Sequence, residues 1–259
     1  MTASGDLPPA IQELLWERPR VPHNLETLSA GWVEYIRRVQ EEAPFATIED
    51  GGETVYTGAL SPGCQACKAG EWDCLFLTAR CNLACAFCCS PSLRAGSVPL
   101  SAFGREVEEV IVNLRRVEPR GISFSGGEVF LDFPRLRVMV ERFRGEFPRA
   151  HLWTYTNGLL ATAAQLEELC RLGLTEIRFN LAATGYIHPG VLSLVEQAAR
   201  SLPAVTVEIP AIPGDEAKLL AALEPWSRLG VRYLNLHELM YEPGSLSAHL
   251  PGPRAPVHT

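Results

Sequence analysis

Three cysteines stand close together in the stretch Arg80-Cys81-Asn82-Leu83-Ala84-Cys85-Ala86-Phe87-Cys88, a C-x3-C-x2-C spacing that directly follows the apolar run Leu75-Phe76-Leu77. Thiolates this near one another on one loop suit an iron–sulfur cube. A [4Fe–4S] cluster normally takes four cysteines, so a triad that supplies three leaves one iron open to a small molecule, which implies chemistry beyond electron storage. Zinc is the competing reading: Cys89 would supply a fourth thiolate, but adjacent cysteines rarely converge on one ion. About forty residues downstream lies Gly121-Ile122-Ser123-Phe124-Ser125-Gly126-Gly127-Glu128. Gly126 and Gly127 remove side chains where backbone must approach a ligand closely, and Glu128 adds a carboxylate suited to an ammonium group.

The triad with an aromatic before its last cysteine, followed at this distance by Gly-Gly-Glu, resembles the radical S-adenosylmethionine enzymes. The resemblance implies that Cys81, Cys85 and Cys88 ligate three irons of a [4Fe–4S] cluster, the fourth iron taking the amino and carboxylate groups of S-adenosylmethionine. It further implies that Gly126, Gly127 and Glu128 hold the methionyl amine and that backbone near Phe87 holds the adenine. Phe87 is equally a packing residue. Asn157 and Asn180 are candidates for hydrogen bonds to the ribose or methionyl carboxylate, although Asn157-Gly158 is also an ordinary turn dipeptide. Ile212, in Pro210-Ala211-Ile212-Pro213-Gly214, matches the apolar member of a fifth-strand adenine-contact motif whose first glycine is missing here.

The positioning elements follow from hydrophobic periodicity. Apolar or β-branched runs at 74–78, 121–125, 150–156, 175–181, 204–210 and 231–237 predict strands, and stripes at helical spacing predict helices near 100–117, 134–147, 162–172, 189–201 and 214–229. Ser101 and Asp132 are candidate N-caps, Pro134 suits a first turn, and Gly173 and Gly230 suit helix ends. Six β/α units with parallel strands make an α/β fold, a partial (β/α)6 TIM-like barrel, whose ligand belongs at the carboxyl ends of the strands, where the motifs fall. On the last strand, alternation places Asn235 and His237 on one face; if that face lines the lumen, they and Glu208 are substrate-side candidates. Trp153 and Tyr155 are expected to pack in the core.

Upstream, Gly63-Cys64-Gln65-Ala66-Cys67 and then Cys74 precede the first strand, a moderate metal-site signal. Seven extended residues span roughly 23 Å, which separates Cys74, at the strand's start, from Cys89 beyond its far end. Either Cys64, Cys67 and Cys74 gather at the amino end as a structural zinc or second iron–sulfur cluster, or Cys64 and Cys67 reach the mouth and meet Cys89. Free thiols are the third reading. Cys170, alone in the third helix, is expected to be packing.

Residues 1–73 are expected to form a small α+β appendage capping the barrel: an extended arm around Pro8-Pro9 and Pro19 to Pro22, a helix at 27–42, two strands at 45–57 turning at Asp50-Gly51-Gly52-Glu53, and the CxxC lead-in. The barrel takes 74–242, and the tail 243–259 lacks periodicity. At 259 residues, 47% hydrophobic and 20% charged, the composition is that of a soluble globular protein. No run approaches the roughly 20 apolar residues of a membrane span, and the expected compartment is the cytoplasm, where eight cysteines read as metal ligands or free thiols. A net charge of −7 argues against nucleic acid as a general partner.

The activity implied by the resemblance is reductive cleavage of S-adenosylmethionine to a 5′-deoxyadenosyl radical that abstracts hydrogen from a C–H bond, with electrons from a partner such as a flavodoxin or ferredoxin. Its target is a small molecule or a peptide. The alternatives are activation of a glycyl-radical enzyme and, in a different class, an iron–sulfur electron-transfer or sensor protein that performs no catalysis.

Overall fold

Alternating apolar runs and amphipathic stripes form the alternating strands and helices that they predict. The computed structural model describes residues 25–88 and 107–239, with side chains from residue 30 onward. Six strands, β3 (Trp72–Thr78), β4 (Gly121–Gly126), β5 (His151–Thr156), β6 (Glu176–Phe179), β7 (Ala204–Pro210) and β8 (Tyr233–His237), pair in sequence order, every neighbour parallel. The two end strands do not pair with each other, so the sheet is an open barrel. Between the strands lie α3 (Val107–Val117), α4 (Phe133–Glu146), α5 (Ala163–Arg171), α6 (Pro189–Ser201) and α7 (Glu216–Arg228).

Local chemistry sets the boundaries. Asp132 caps α4 by accepting from Arg135 N at 3.4 Å, and Pro134 occupies its first turn. Thr162 and Gln165 form a reciprocal capping box on α5. The fourth strand is shorter than the predicted 175–181: Asn180 Oδ1 accepts from Ala183 N and turns the chain into a short 3₁₀ helix, Leu181–Thr184. Ser101 and the extended arm at Pro8-Pro9 and Pro19 to Pro22 lie outside the described residues, as do Cys89 and the tail beyond 239.

The strand faces divide the core cleanly. Ile122, Phe124, Leu152, Ile177, Phe179 and Val207 point outward into a continuous apolar layer beneath the helices. Their sequence neighbours Ser123, Ser125, Trp153, Tyr155, Arg178 and Glu208 face the opposite way, into the lumen.

Before the barrel come α1 (Leu25–Glu42), a hairpin of β1 (Thr47–Glu49) and β2 (Thr54–Tyr56) turning through a short 3₁₀ helix at Asp50–Gly52, and a helix that the sequence reading does not contain, α2 (Pro62–Lys68). Ser61 Oγ caps α2 by accepting from Cys64 N, and Pro62 starts it. The helix lies across the amino ends of the central strands. Gly63 N donates to Glu176 Oε2 at 3.2 Å, and a Cβ on Gly121 would come within 2.7 Å of both the Ala66 methyl and Trp153. Among the described residues, no helix is long and apolar enough to cross a membrane.

Phe124 has no exposed surface and meets Phe143 edge to face at 5.8 Å, joining β4 to α4. Phe124→Ala is expected to cost about 3–5 kcal/mol, measured as a lowered midpoint of urea unfolding followed by far-ultraviolet circular dichroism.

Candidate functional site

The carboxyl ends of β3 and β4 are joined by backbone before any side chain is considered. Gly127 N donates to Thr78 O and Glu128 N donates to Arg80 O, both at 2.8 Å. A Cβ on Gly126, whose φ is +139°, would lie 2.1 Å from Thr78 O, and a Cβ on Gly127 would lie 2.1 Å from Arg80 O. Only glycine fits either position. The close approach that these glycines permit is therefore to the backbone leading into the cysteine loop.

That loop carries Cys81, Cys85 and Cys88, each half-buried. Leu83 N points at Cys81 Sγ at 3.5 Å, and Cys88 N donates to Cys85 O at 3.2 Å, which tightens the turn through Phe87. Among the described residues, no three His, Cys, Asp or Glu side chains converge on a single-metal position. A zinc with 2.3 Å bonds needs sulfurs only ~4 Å apart, whereas a cube spreads its ligands over several iron atoms, so three cysteines of one loop fit a cluster better than a mononuclear ion.

Glu128 is fully buried. Its Oε1 accepts from Phe130 N at 3.1 Å and Thr156 Oγ1 at 2.9 Å, and its Oε2 accepts from Asn157 N at 2.8 Å, tying the end of β4 to the end of β5. Burial pushes its carboxyl above the usual range, against the pull of these three donors. Asn157 in turn donates from Nδ2 to Asn82 Oδ1 at 2.8 Å, inside the cysteine loop. The turn dipeptide thus braces that loop. Thr156 and Asn82, which motif reasoning passes over, belong to this brace.

The other candidates are spread around the same mouth. Asn180 spends Oδ1 on its helix cap, and Ile212 is 6% exposed. Asn235 sits half-buried on the lumen face of β8, paired in register with Glu208, while His237 is exposed with Nδ1 at 2.9 Å from Glu238 O.

At the amino end, several placements go beyond the sequence reading. Cys74 is the third residue of β3 rather than its start; it faces the lumen near the Ser123 and Ser125 hydroxyls, and burial pushes its thiol up. Cys64 and Cys67 ride on α2, both within electrostatic reach of Arg178. Trp153 is fully buried, as expected, but on the lumen side of β5 beside the half-buried Tyr155, with the Arg178 guanidinium 5.0 and 5.6 Å from their ring centres.

Arg178 belongs to a buried network that the motifs do not reveal. Its Nε donates to Glu176 Oε1 at 2.8 Å, Nη1 to Glu208 Oε2, and Nη2 to Ser61 Oγ at 3.2 Å. Glu176 also accepts from Thr206 Oγ1 at 2.7 Å and Gly63 N, with His151 Nε2 2.7 Å from Oε2. The signal was present in Glu176-Ile177-Arg178-Phe179, two charges on one face of a central strand. A cavity of about 520 Å³, lined by Gln65, Arg120, Arg144 and His151 among others, opens beside α2 at this end, far along the strands from the cysteine loop.

Two predictions follow from this geometry. Gly127→Ala forces its new methyl against Arg80 O and is expected to displace the cysteine loop. Iron retained after anaerobic reconstitution should fall to less than about half, with a stability loss of about 1–3 kcal/mol by urea unfolding. Burial would raise the Glu176 carboxyl, but His151, Arg178 and Thr206 outweigh it and hold it at about 2, below the usual 4.5. The resulting stabilisation, about 3 kcal/mol, is present above the usual carboxylate value and is lost as pH falls toward 2. The stability difference between wild type and Glu176→Gln, followed by urea unfolding of cluster-free protein, should therefore shrink steadily from pH 5 to the lowest pH at which both fold.

Residues 64–175 match the family model of a 4Fe-4S single cluster domain. A protein of Methanocaldococcus jannaschii, to which a glycyl-radical enzyme activating role is ascribed, is 27% identical over 191 residues, a stretch covering 70% of this chain. The match spans 51% of that relative, so the chain accounts for about half of its length. Among solved structures, methylornithine synthase superposes with a TM-score of 0.54 at 12% identity, covering 93% of this chain and 71% of that one. SuiB of Streptococcus suis, bound to S-adenosylmethionine, gives 0.55 at 9% identity, covering 86% and 52%. At these identities the two structures share the fold. The chain thus resembles a 4Fe-4S single cluster domain over residues 64–175 and shares its open parallel barrel with methylornithine synthase and S-adenosylmethionine-bound SuiB.

Proposed function

We propose that this protein is a radical S-adenosylmethionine enzyme acting on a small-molecule or peptide substrate. The observation that carries this reading is the three-cysteine loop held by backbone to Gly126-Gly127-Glu128 at the carboxyl ends of β3 and β4. Cys81, Cys85 and Cys88 would hold a [4Fe–4S] cluster. When bound, the cluster and S-adenosylmethionine together supply one-electron cleavage of a carbon–sulfur bond, yielding methionine and a 5′-deoxyadenosyl radical able to abstract hydrogen from carbon.

This chain's own residues bind and orient. The Gly126-Gly127 backbone would face a methionyl ammonium, and Glu128 Oε2, which has a single donor among the described residues, keeps acceptor capacity for the same group. An ammonium there would restore the charged form that burial disfavours. Ile212, whose side chain is nearly buried, would meet the adenine by its edge together with the backbone near Phe87, and Asn157 and Asn180 would supply amides at the ends of β5 and β6. The walls of the open barrel would exclude water from the reacting carbon. An external reductant, a flavodoxin or ferredoxin, would supply the electron.

The similarity to the M. jannaschii protein favours one second reading, activation of a glycyl-radical enzyme. It makes the hydrogen donor a backbone glycine of a partner protein, with the same residues doing the same work in this chain.

The test is anaerobic. After reconstitution and reduction with dithionite, added S-adenosylmethionine is expected to give 5′-deoxyadenosine with the wild type and none with Cys85→Ala. A cluster that reduces and binds S-adenosylmethionine yet yields no product overturns the enzymatic reading in favour of electron transfer or sensing. A stable glycyl radical on an added partner, seen by electron paramagnetic resonance, selects the activase.

A further inference from the structure

The lumen of the barrel holds an acid whose charge the protein leaves partly unmatched. Glu176 receives four donors: Gly63 N, His151 Nε2, Arg178 Nε and Thr206 Oγ1. Glu208 receives one, from Arg178 through Oε2. Its Oε1 has no partner among the described residues, and its side chain keeps 20% of its surface exposed. An ionised carboxylate accepts about four hydrogen bonds, so this group is short of donors in a largely dehydrated setting.

Among the described residues, no further side chain donates to it. The Arg178 guanidinium is divided between Glu176, Glu208 and Ser61, and its face lies over Trp153 and Tyr155. Any positive charge on His151 is directed at Glu176 Oε2. Among the described residues, the Tyr155 hydroxyl and the thiols of Cys67 and Cys74 also lie within electrostatic reach of Glu208, and none of them is a cation. Two carboxylates therefore share one arginine.

Glu208 is also reachable. Among the described residues the end strands β3 and β8 are not paired with each other, and the Glu208 side chain between them in the lumen keeps 20% of its surface exposed. Phe76, on the lumen face of β3, is 40% exposed, and Asn235 stands beside Glu208 in the strand register. Glu208 lies two residues before the carboxyl end of β7, on the face below the cysteine loop. A single carboxylate oxygen beside an amide matches the hydrogen-bonding needs of one ammonium or guanidinium group.

We propose that the lumen binds a positively charged group of the substrate, an ammonium or guanidinium, anchored by Glu208 Oε1 with the Asn235 amide as its neighbour. This substrate class rests on the enzymatic reading above. The anchor would fix the target carbon relative to the mouth, where distance decides which hydrogen is taken.

The experiment uses reconstituted full-length protein with n-butylammonium and n-butylguanidinium as probes and n-butanol as their uncharged counterpart, with binding followed by saturation-transfer NMR under anaerobic conditions. Both cations are expected to bind, butanol to bind at least tenfold more weakly, and Glu208→Gln, which retains an oxygen for Arg178, to weaken the cations at least tenfold. Glu196→Gln, an exposed acid on α6, should leave them unchanged. Butanol binding as well as the cations, no binding by any probe, or equal losses in the two variants overturns the proposal. The same preparations are assayed for 5′-deoxyadenosine. Product without selective cation binding sinks the anchor alone, whereas selective cation binding without product supports the anchor and sinks the enzymatic reading.

Discussion

The backbone contact between the end of β3 and the Gly126-Gly127-Glu128 turn is the constraint on which the site depends. Two amide hydrogen bonds bring β4 so close to the cysteine loop that no side chain can stand between them. The loop itself has no regular structure, and its three thiols would be costly to gather if it were free. Fixing its start against a strand end removes much of that cost in advance. Glu128, dehydrated and bonded to three donors, extends the same brace to β5, and Asn157 carries it back to Asn82 between the first two cysteines.

The opposite end of the barrel is organised by charge. Helix α2 closes the amino ends of the strands, and its fit depends on Gly63 approaching Glu176 and Arg178: a Cβ there would fall 2.3 Å from the guanidinium. A buried ion pair stabilises only when its remaining donors and acceptors are matched. Glu176 meets that condition fully and Arg178 nearly so, which makes this end a rigid floor. Glu208, bonded once, is where the floor network reaches the open lumen. The molecule thus pairs an upper rim built from backbone hydrogen bonds with a lower floor built from ion pairs, and the space between them is lined by alternate residues of six strands.

Much of this was legible in the chain. Periodicity located all six strands, and the helices within the described residues agree with their predicted spans to within a few residues at most boundaries, because burial of one face writes a regular pattern into an amphipathic segment. The cysteine spacing and the Gly-Gly-Glu turn were visible because their chemistry is local. Helix α2 was not visible: a seven-residue segment carrying two cysteines and a proline offers too little periodicity, and its helicity depends on a cap from Ser61 and contacts with distant strands. Hydrophobicity alone predicts burial of Trp153 and Tyr155, which holds for Trp153, whereas parity along β5 decides that both lie on the lumen side.

The sequence by itself determined the order of elements, the parallel connectivity and the identity of the cysteine loop, since each is set by residues near one another in the chain. Only the tertiary structure decided what those residues meet. It showed that Gly126 and Gly127 face backbone, that Glu128 is a buried brace, that Cys74 lies within a strand, and that Glu176, Arg178 and Glu208 form one network across β6 and β7. Arg178 and Glu208 are 30 residues apart and Gly63 and Glu176 are 113 apart, and the energies of such pairings depend on distances and on the exclusion of water, neither of which exists until the strands have closed around them.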